Sequence, residues 1–409
     1  MAAEGRDPSP SAGRLTTRQV ADRLGVKTET VYAYASRGLL TSERAAGGKG
    51  STFDPVEVER LRRADRGDAG RREGRGFPQI STAITLIRDG GLYYRGRDAT
   101  ALAVGSTFEE VIALMWQRGD GFSVPFADSE APVRWPGVEL PGMRLPDRLR
   151  IAVPIAAAAD PLRFDLGPAS VAAMGARLLG DFLAALPLLG DDADDPGLAA
   201  RLWPRLTAIP PTPDLLRCLE ATLILLADHD LAVSSVAARV AASARAHPYA
   251  VVSAGLGALD GPLHGGASSL AYRLLIETLS AGSAAMVIAD HLRSGQRVPG
   301  LGHALYPRGD PRARALLRLL GATEHGGPSV AAIDEIVTVA SRDASLLPNI
   351  DGALAALAVS MGMGRYAGEA IFIIARTVGW IAHALEEYQE KPLRMRALGV
   401  YTGPDPEHR

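Results

Sequence analysis

A single cysteine, Cys218, in 409 residues excludes an intrachain disulfide and a multi-thiolate metal cluster, and fits a reducing compartment. Its thiol reads as buried and inert. No run of about 18 uncharged apolar residues occurs, so no membrane partner is expected. The opening MAAEGRDPSPSAGR lacks the apolar core of a signal peptide, and the expected location is cytoplasmic. Aromatics are scarce, at 5%. Ala and Leu are abundant instead, and their unbranched or small side chains lose little rotamer freedom in a helix. The fold class expected is mainly α.

Apolar residues at 47% and charged residues at 22% describe a globular protein, and the length calls for two or three packed units. The net charge of −2 hides an asymmetry. Residues 1–76 carry 15 Lys and Arg against 11 Asp and Glu, and the remainder 29 against 35. Residues 1–14, rich in Pro, Ser, Gly and Ala, are expected to be a disordered tail. In LTTRQVADRLGVKTETVYAYASRGLL the spacing predicts a helix over Thr17 to Leu24, capped by Thr16 or Thr17, a turn at Gly25 and a second helix over Thr28 to Arg37. Val20, Leu24, Val31 and Tyr34 form one apolar seam. AAGGKGSTF follows, with Phe53 pinning a hairpin, and then a third helix with Val56, Val58 and Leu61. The unit, placed at 15–64, is a helix-turn-helix and resembles the winged MerR and excisionase type. If it meets DNA, Lys27, Thr28, Thr30, Tyr32 and Arg37 are the recognition candidates, with Arg44 and Lys49 for phosphates.

The charged, Gly-rich stretch 65–76 reads as a linker. Beyond it, TAITLIRDGGLYYRGRD alternates around Asp89-Gly90-Gly91, a hairpin signal. Almost everything later is helical, and segments such as EAIFIIARTVGWIAHALEEYQ are too apolar for lone surface helices, so they should pack on several sides.

Three segments place an ionisable side chain beside Gly or Pro, where the backbone can expose it: DGPLHGGA at 260–267, PGLGHALYPRGDPR at 299–312, and PNIDG at 348–352. Singly, His264 reads as a helix cap and Asn349-x-Asp351 as a capping sequence. Together and in order, GPLHGG, GxGH with DPR, and PN[VI]D closely resemble the active-site signature of citrate synthases. YRG at 94–96, ADH at 227–229 and ARTVGWIAH at 375–383 match too, and the resemblance covers roughly 77–403. It implies a citrate synthase fold over 77–409, with large and small helical domains, the small one at about 270–375.

The resemblance also implies roles. A thioester methyl is a very weak acid, so a base and a hydrogen-bond donor must flank it. Asp351 matches the base, His264 the donor to the thioester oxygen, and His303 the group polarising the ketone of oxaloacetate. His229, Arg312 and Arg376 match oxaloacetate-binding residues, and arginine suits a dicarboxylate through paired planar donors. Arg308 is the candidate for a CoA phosphate. One C-terminal arginine of the family reaches into the partner's site in a homodimer, and Arg394 and Arg396 compete for that match. Acyl-CoA is a co-substrate, with no permanently bound cofactor and no metal.

The pattern is broken at Leu226, where many members have histidine, at Ala232, where asparagine is common, and at the C-terminus, where the spacing to Tyr401 and Gly403 is two residues too long. The expected activity is condensation of acetyl-CoA or propionyl-CoA with oxaloacetate and water. The rival is a DNA-binding regulator whose synthase-like domain senses acyl-CoA or dicarboxylate; cleavage in the reverse direction would use the same groups.

Overall fold

The computed structural model describes residues 14–24, 26–36, 39–44, 50–55, 57–58, 80–117, 142–192, 195–261, 264–295, 297–340 and 346–396. The chain divides into two units, Met1–Gln79 with Arg396–Arg409, and Ile80–Met395. Arg37, Lys49, the linker expected at 65–76, Tyr401 and Gly403 lie outside the described residues, as does all but Arg14 of the expected tail.

In the first unit β1 (Leu15–Thr16) leads directly into α1 (Thr17–Leu24). Thr16 supplies the cap: its N–H donates to Gln19 Oε1 at 2.9 Å, and the Gln19 N–H returns to Thr16 Oγ1 at 3.4 Å, a reciprocal pair that satisfies two orphan donors. α2 (Thr28–Ser36), β2 (Ser42–Arg44) and β3 (Ser51–Phe53) follow. β3 lies between β1 and β2, antiparallel to both, with Leu15 opposite Phe53. Val20, Val31, Leu40, Phe53 and Val58 close a small core, and Leu24 and Tyr34 pack on it. The seam read from the spacing is therefore the core of this unit.

The second unit opens with a meander of β4 (Thr85–Arg88), β5 (Gly91–Tyr94) and β6 (Arg97–Asp98). Asp89 and Gly90 both adopt positive φ, 54° and 80°, as a two-residue hairpin turn requires. Fourteen helices follow among the described residues: α3 (Ala99–Gly105), α4 (Phe108–Met115), α5 (Leu145–Ala159), α6 (Pro168–Ala185), α7 (Leu198–Leu206), α8 (Pro213–Leu226), α9 (Val233–Ser243), α10 (Pro248–Leu259), α11 (Ala267–Ala281), α12 (Ala284–Arg293), α13 (Pro311–Gly321), α14 (Gly327–Ala340), α15 (Ile350–Ser360) and α16 (Ala367–Gln389). Proline starts α6, α8, α10 and α13, where its missing N–H costs no hydrogen bond.

α16 is the axis of the core. Its 23 residues pack against α6, α8, α9 and α10. By length and composition it is long and apolar enough to cross a membrane, yet the apolar stretch is wholly buried inside the protein. Gly379 allows the closest approach, because a Cβ there would lie 2.4 Å from the Ala227 carbonyl. α15 packs in turn on α11, α13 and α14.

The apolar sequence 221–244 is not one continuous helical run. It breaks between Leu226 and Val233, with Asp230 at φ 54°. Backbone carbonyls released by the break find side-chain donors: the Tyr94 hydroxyl lies 3.1 Å from Asp228 O and 3.3 Å from Leu225 O, its one proton shared between them, and Arg376 Nε donates to Leu226 O (2.9 Å). Tertiary hydrogen bonds thus override a helical composition.

Candidate active site

The break at 227–232 puts His229 at the inner end of a cavity of about 740 Å³. Its Nε2 lies 3.0 Å from the Tyr306 hydroxyl, and its ring meets His303 edge-on at 5.2 Å between centroids. Burial, then the charges of Arg312 and Arg376, hold His229 well below the usual histidine range, so it is neutral at physiological pH.

His264 enters from the turn between α10 and α11. Gly265 is required there, since a Cβ would sit 2.6 Å from Leu259 O. His264 Nε2 lies 2.9 Å from the Ser234 hydroxyl on α9, and burial, reinforced by Arg376, lowers its pKa to about 4. This imidazole too is neutral.

Two loops are joined to place His303 and Asp351. Gly302 N–H donates to Leu347 O (2.8 Å), Asn349 N–H to Gly300 O (3.0 Å), and Asn349 Nδ2 to Gly302 O (2.9 Å). Gly300 and Gly352 meet so closely that a Cβ on Gly352 would lie 2.6 Å from Gly300 O. The Leu305 N–H donates to His303 Nδ1 (3.1 Å), which leaves the proton of the neutral ring on Nε2. His303 is itself shifted down, by burial and then Arg312. Asn349 caps α15 through the Asp351 and Gly352 N–H groups at 3.0 and 3.2 Å. Asp351, in the first helical turn, has its carboxyl raised to about 6, with burial the main cause and Arg312 opposing.

Two guanidinium groups complete the inner end. Arg312 is buried and forked onto Asp310, Nε to Oδ1 at 3.0 Å and Nη2 to Oδ2 at 2.8 Å; Asp310 also accepts the Ile350 N–H at 3.1 Å. Arg376 projects from α16, stacks over Phe372 at 4.6 Å and leaves buried Nη1 without a partner among the described residues. Burial lowers its pKa to about 10, which still leaves it charged. A buried, charged, incompletely bonded guanidinium is costly unless an anion meets it.

His229, His264, His303, Arg312, Asp351 and Arg376 therefore line one cavity. Other residues singled out in the sequence lie elsewhere. Arg308 is exposed and donates from Nη2 to Asp89 O at 3.4 Å. Arg394 forks onto Glu387 at 2.8 and 2.6 Å, and Arg396 is exposed. Lys27, Thr28 and Tyr32 are exposed on the first unit, with Thr30 partly so. Cys218 is buried, and burial pushes its thiol up to about 11. The sequence reading missed Ser234 as the partner of His264, and it missed the outer end of the cavity, where α11 and α12 contribute Leu270, Arg273, Glu277 and His291, followed by Arg297. Phe372 was readable, four residues before Arg376 and so on the same helical face. At the altered positions, Leu226 is buried and offers its carbonyl to Arg376, while Ala232 lines the cavity and starts α9 without a side-chain cap.

Residues 169–396 match the family of the citrate synthase C-terminal domain, and residues 15–66 the MerR HTH family of regulatory proteins. Citrate synthase 2 of Bacillus subtilis is 28% identical over 361 residues, covering 81% of this chain and 95% of its own. 2-Methylcitrate synthase 1 of Corynebacterium glutamicum is 27% identical over 355 residues, covering 79% and 92%. The crystal structure of citrate synthase from Thermotoga maritima superposes with a TM-score of 0.66 at 26% identity, over 83% of this chain and 98% of that one. The Thermoplasma acidophilum enzyme, in complex with carboxymethyl coenzyme A and oxaloacetate, shares the fold with a TM-score of 0.67 at 21% identity, over 81% and 96%.

Proposed function

Since the chain belongs to the citrate synthase family, we propose that it condenses acetyl-CoA or propionyl-CoA with oxaloacetate and water, giving citrate or 2-methylcitrate and free CoA. The observation that carries this reading is the gathering of Asp351, His264 and His303 in the lining of one cavity with Arg312 and Arg376.

Asp351, with a carboxyl poised at about 6, takes a proton from the acyl carbon next to the thioester; a base near the working pH is the efficient choice. In this reading the Ser234 hydroxyl, 2.9 Å from His264 Nε2, is the donor, and Nδ1 carries the proton that meets the enolate oxygen. A neutral donor suffices because it is fixed in place before charge develops. His303, with its proton on Nε2, polarises the ketone of oxaloacetate for attack by the enolate carbon. Arg312 and Arg376 bind the two carboxylates, and His229 adds a neutral contact. Water then cleaves the thioester and releases the thiol. Arg273 and Arg297, and not the outward Arg308, take the phosphates of CoA at the outer end. Movement of the small domain, about 270–375, closes over both substrates and excludes water. A homodimer, with Arg396 as the arginine free to reach a partner because Arg394 is tied to Glu387, belongs to the same reading.

The test is oxaloacetate-dependent release of CoA thiol from acetyl-CoA and propionyl-CoA offered in turn. Release with either donor supports the synthase; no release, with oxaloacetate still bound, favours the regulator. The two donors differ by one methylene, worth about 1 to 3 kcal/mol in a pocket, so their ratio ranks them directly.

A second reading concerns the N-terminal unit, whose helix-turn-helix core and match to a regulator family support DNA binding through Lys27, Thr28, Thr30 and Tyr32 at the start of α2. Its affinity should fall steeply with added salt.

A further inference from the structure

Beneath the oxaloacetate end runs a continuous line of buried polar groups that the proposed chemistry does not use. Arg394, on the segment after α16, grips both oxygens of Glu387. Glu387 Oε2 also accepts from Arg239 Nη1 at 3.0 Å. Arg239 Nε donates to His383 Nδ1 at 2.9 Å, and its Nη2 pairs with Glu386. His383 Nε2 lies 3.3 Å from Asp228 Oδ1, off the line of a straight hydrogen bond. Asp228 takes the Thr85 hydroxyl at 2.6 Å and that of Ser235 at 3.4 Å. Arg239, His383, Glu387 and Asp228 are all completely buried.

Chemistry dictates the state of this line. Arg239 has only donors, so His383 Nδ1 must accept, and the ring is neutral with its proton on Nε2, toward Asp228. With neutral His383, the charges of Arg394, Glu387, Arg239 and Asp228 alternate along the line, and Glu386, paired with Arg239 as a side branch, also meets Arg95 at 3.6 Å. Removing one member leaves a buried polar neighbour short of a partner. Asp228 directly precedes His229, its carbonyl is held by Tyr94, and it lies within electrostatic reach of Arg376. His383 stands two turns beyond Arg376 on α16.

We propose that His383 is a positioning residue of the oxaloacetate end, and that the line Arg394–Glu387–Arg239–His383–Asp228 makes the seating of His229 and Arg376 depend on the docking of the segment 393–395, which Ser243 also holds through the Leu393 and Met395 N–H groups. The inference rests on the synthase reading for its substrate, while its tests read binding as well as turnover. Glutamine at 383 can accept from Arg239 and donate to Asp228; leucine can do neither. His383→Leu should raise the oxaloacetate KM and Kd about tenfold, while the acyl-CoA KM, set at the other end of the cavity, stays unchanged. His383→Gln should recover most of the loss. Arg394→Ala, remote from the cavity, should weaken oxaloacetate about threefold, and the His383→Leu/Arg394→Ala pair should lose less than the product of the singles.

Oxaloacetate affinity is to be measured by titration calorimetry on the full chain, alongside both KM values and thermal unfolding. Equal shifts in the two KM values, or independent effects of Arg394→Ala and His383→Leu, overturn the proposal. So does a fall in melting temperature with unaltered oxaloacetate affinity. A wild-type chain that binds oxaloacetate without turnover sinks the synthase reading alone; one that does neither sinks both.

Discussion

At the inner end of the cavity His303 Nδ1 is held by a backbone N–H, Arg312 by both oxygens of Asp310, and Asp351 by the cap of its own helix. At the outer end Arg273 stands 3.7 Å from Glu277 with more than half its side chain in water, and Arg297 is exposed. The contrast follows from what each end has to do. Charge that develops during a reaction is stabilised by dipoles already in place, because reorganising them in the transition state would consume the gain. The anionic end of a long, flexible ligand asks for attraction and tolerates loose geometry.

The largest effect should come from the inner end. Asp351→Asn removes the proposed base with little change in shape, and kcat should fall about 1000-fold, measured by thiol release, with oxaloacetate binding nearly intact. In the wild type, activity should decline as pH drops through about 6, where Asp351 takes up its proton. The same shift costs stability. A carboxyl whose folded pKa is raised from 3.8 to about 6 favours the folded state below pH 3.8, and that contribution is lost as pH rises through 6. Asp351→Asn should therefore be more stable than wild type at pH 7, by up to about 2 kcal/mol after allowance for residual solvent. The gain should vanish near pH 4. A variant that is inactive and no more stable would show that Asp351 is not strained by burial.

Arg376→Gln sharpens the comparison in charge. It removes the guanidinium whose Nη1 has no partner among the described residues, and kcat/KM for oxaloacetate should fall about 100-fold, the worth of charged hydrogen bonds to a carboxylate. Undiminished oxaloacetate use would mean that this group does not meet the substrate. At the outer end Arg273→Ala or Arg297→Ala should each raise the acyl-CoA KM only about fivefold, with the oxaloacetate KM unchanged and the loss shrinking in high salt. If either arginine proved as costly as Arg376, the distinction between a rigid and a loose end would fail.

Legibility in the sequence follows the same division. His264, His303 and Asp351 stand beside Gly or Pro within short segments, and those neighbours permit the close approaches of Gly265 to Leu259 and of Gly352 to Gly300. The helix-turn-helix core was readable because Val20 and Val31 follow helical spacing. Arg273 and Arg297 were not readable: each looks like any solvated arginine until α11 and α12 pack and the cavity forms between them and the loop at 297–304. Nor was the break after Leu226, since LLADHDLAVSS has no proline or glycine and its stop is imposed by Tyr94 and Arg376, more than 100 residues away in either direction. Arg308 also has a suggestive spacing, and its exposed side chain meets the β4–β5 turn.

The smallest effect belongs to Ala232, which sits where the two demands meet. It starts α9 at φ −54° and ψ 156° with no side-chain cap, and it lines the cavity. Asparagine there could accept from the Ser234 or Ser235 N–H, and a gained N-cap is worth about 1 kcal/mol, or about 2 °C in melting temperature for a unit of this size. Ala232→Asn should raise the melting temperature by that amount, and a steadier α9 should hold Ser234 against His264. If oxaloacetate affinity rises with it, Ala232 limits both stability and binding. If stability rises and affinity falls, the small side chain at 232 is room that the substrate uses, and the inner end is rigid everywhere except there.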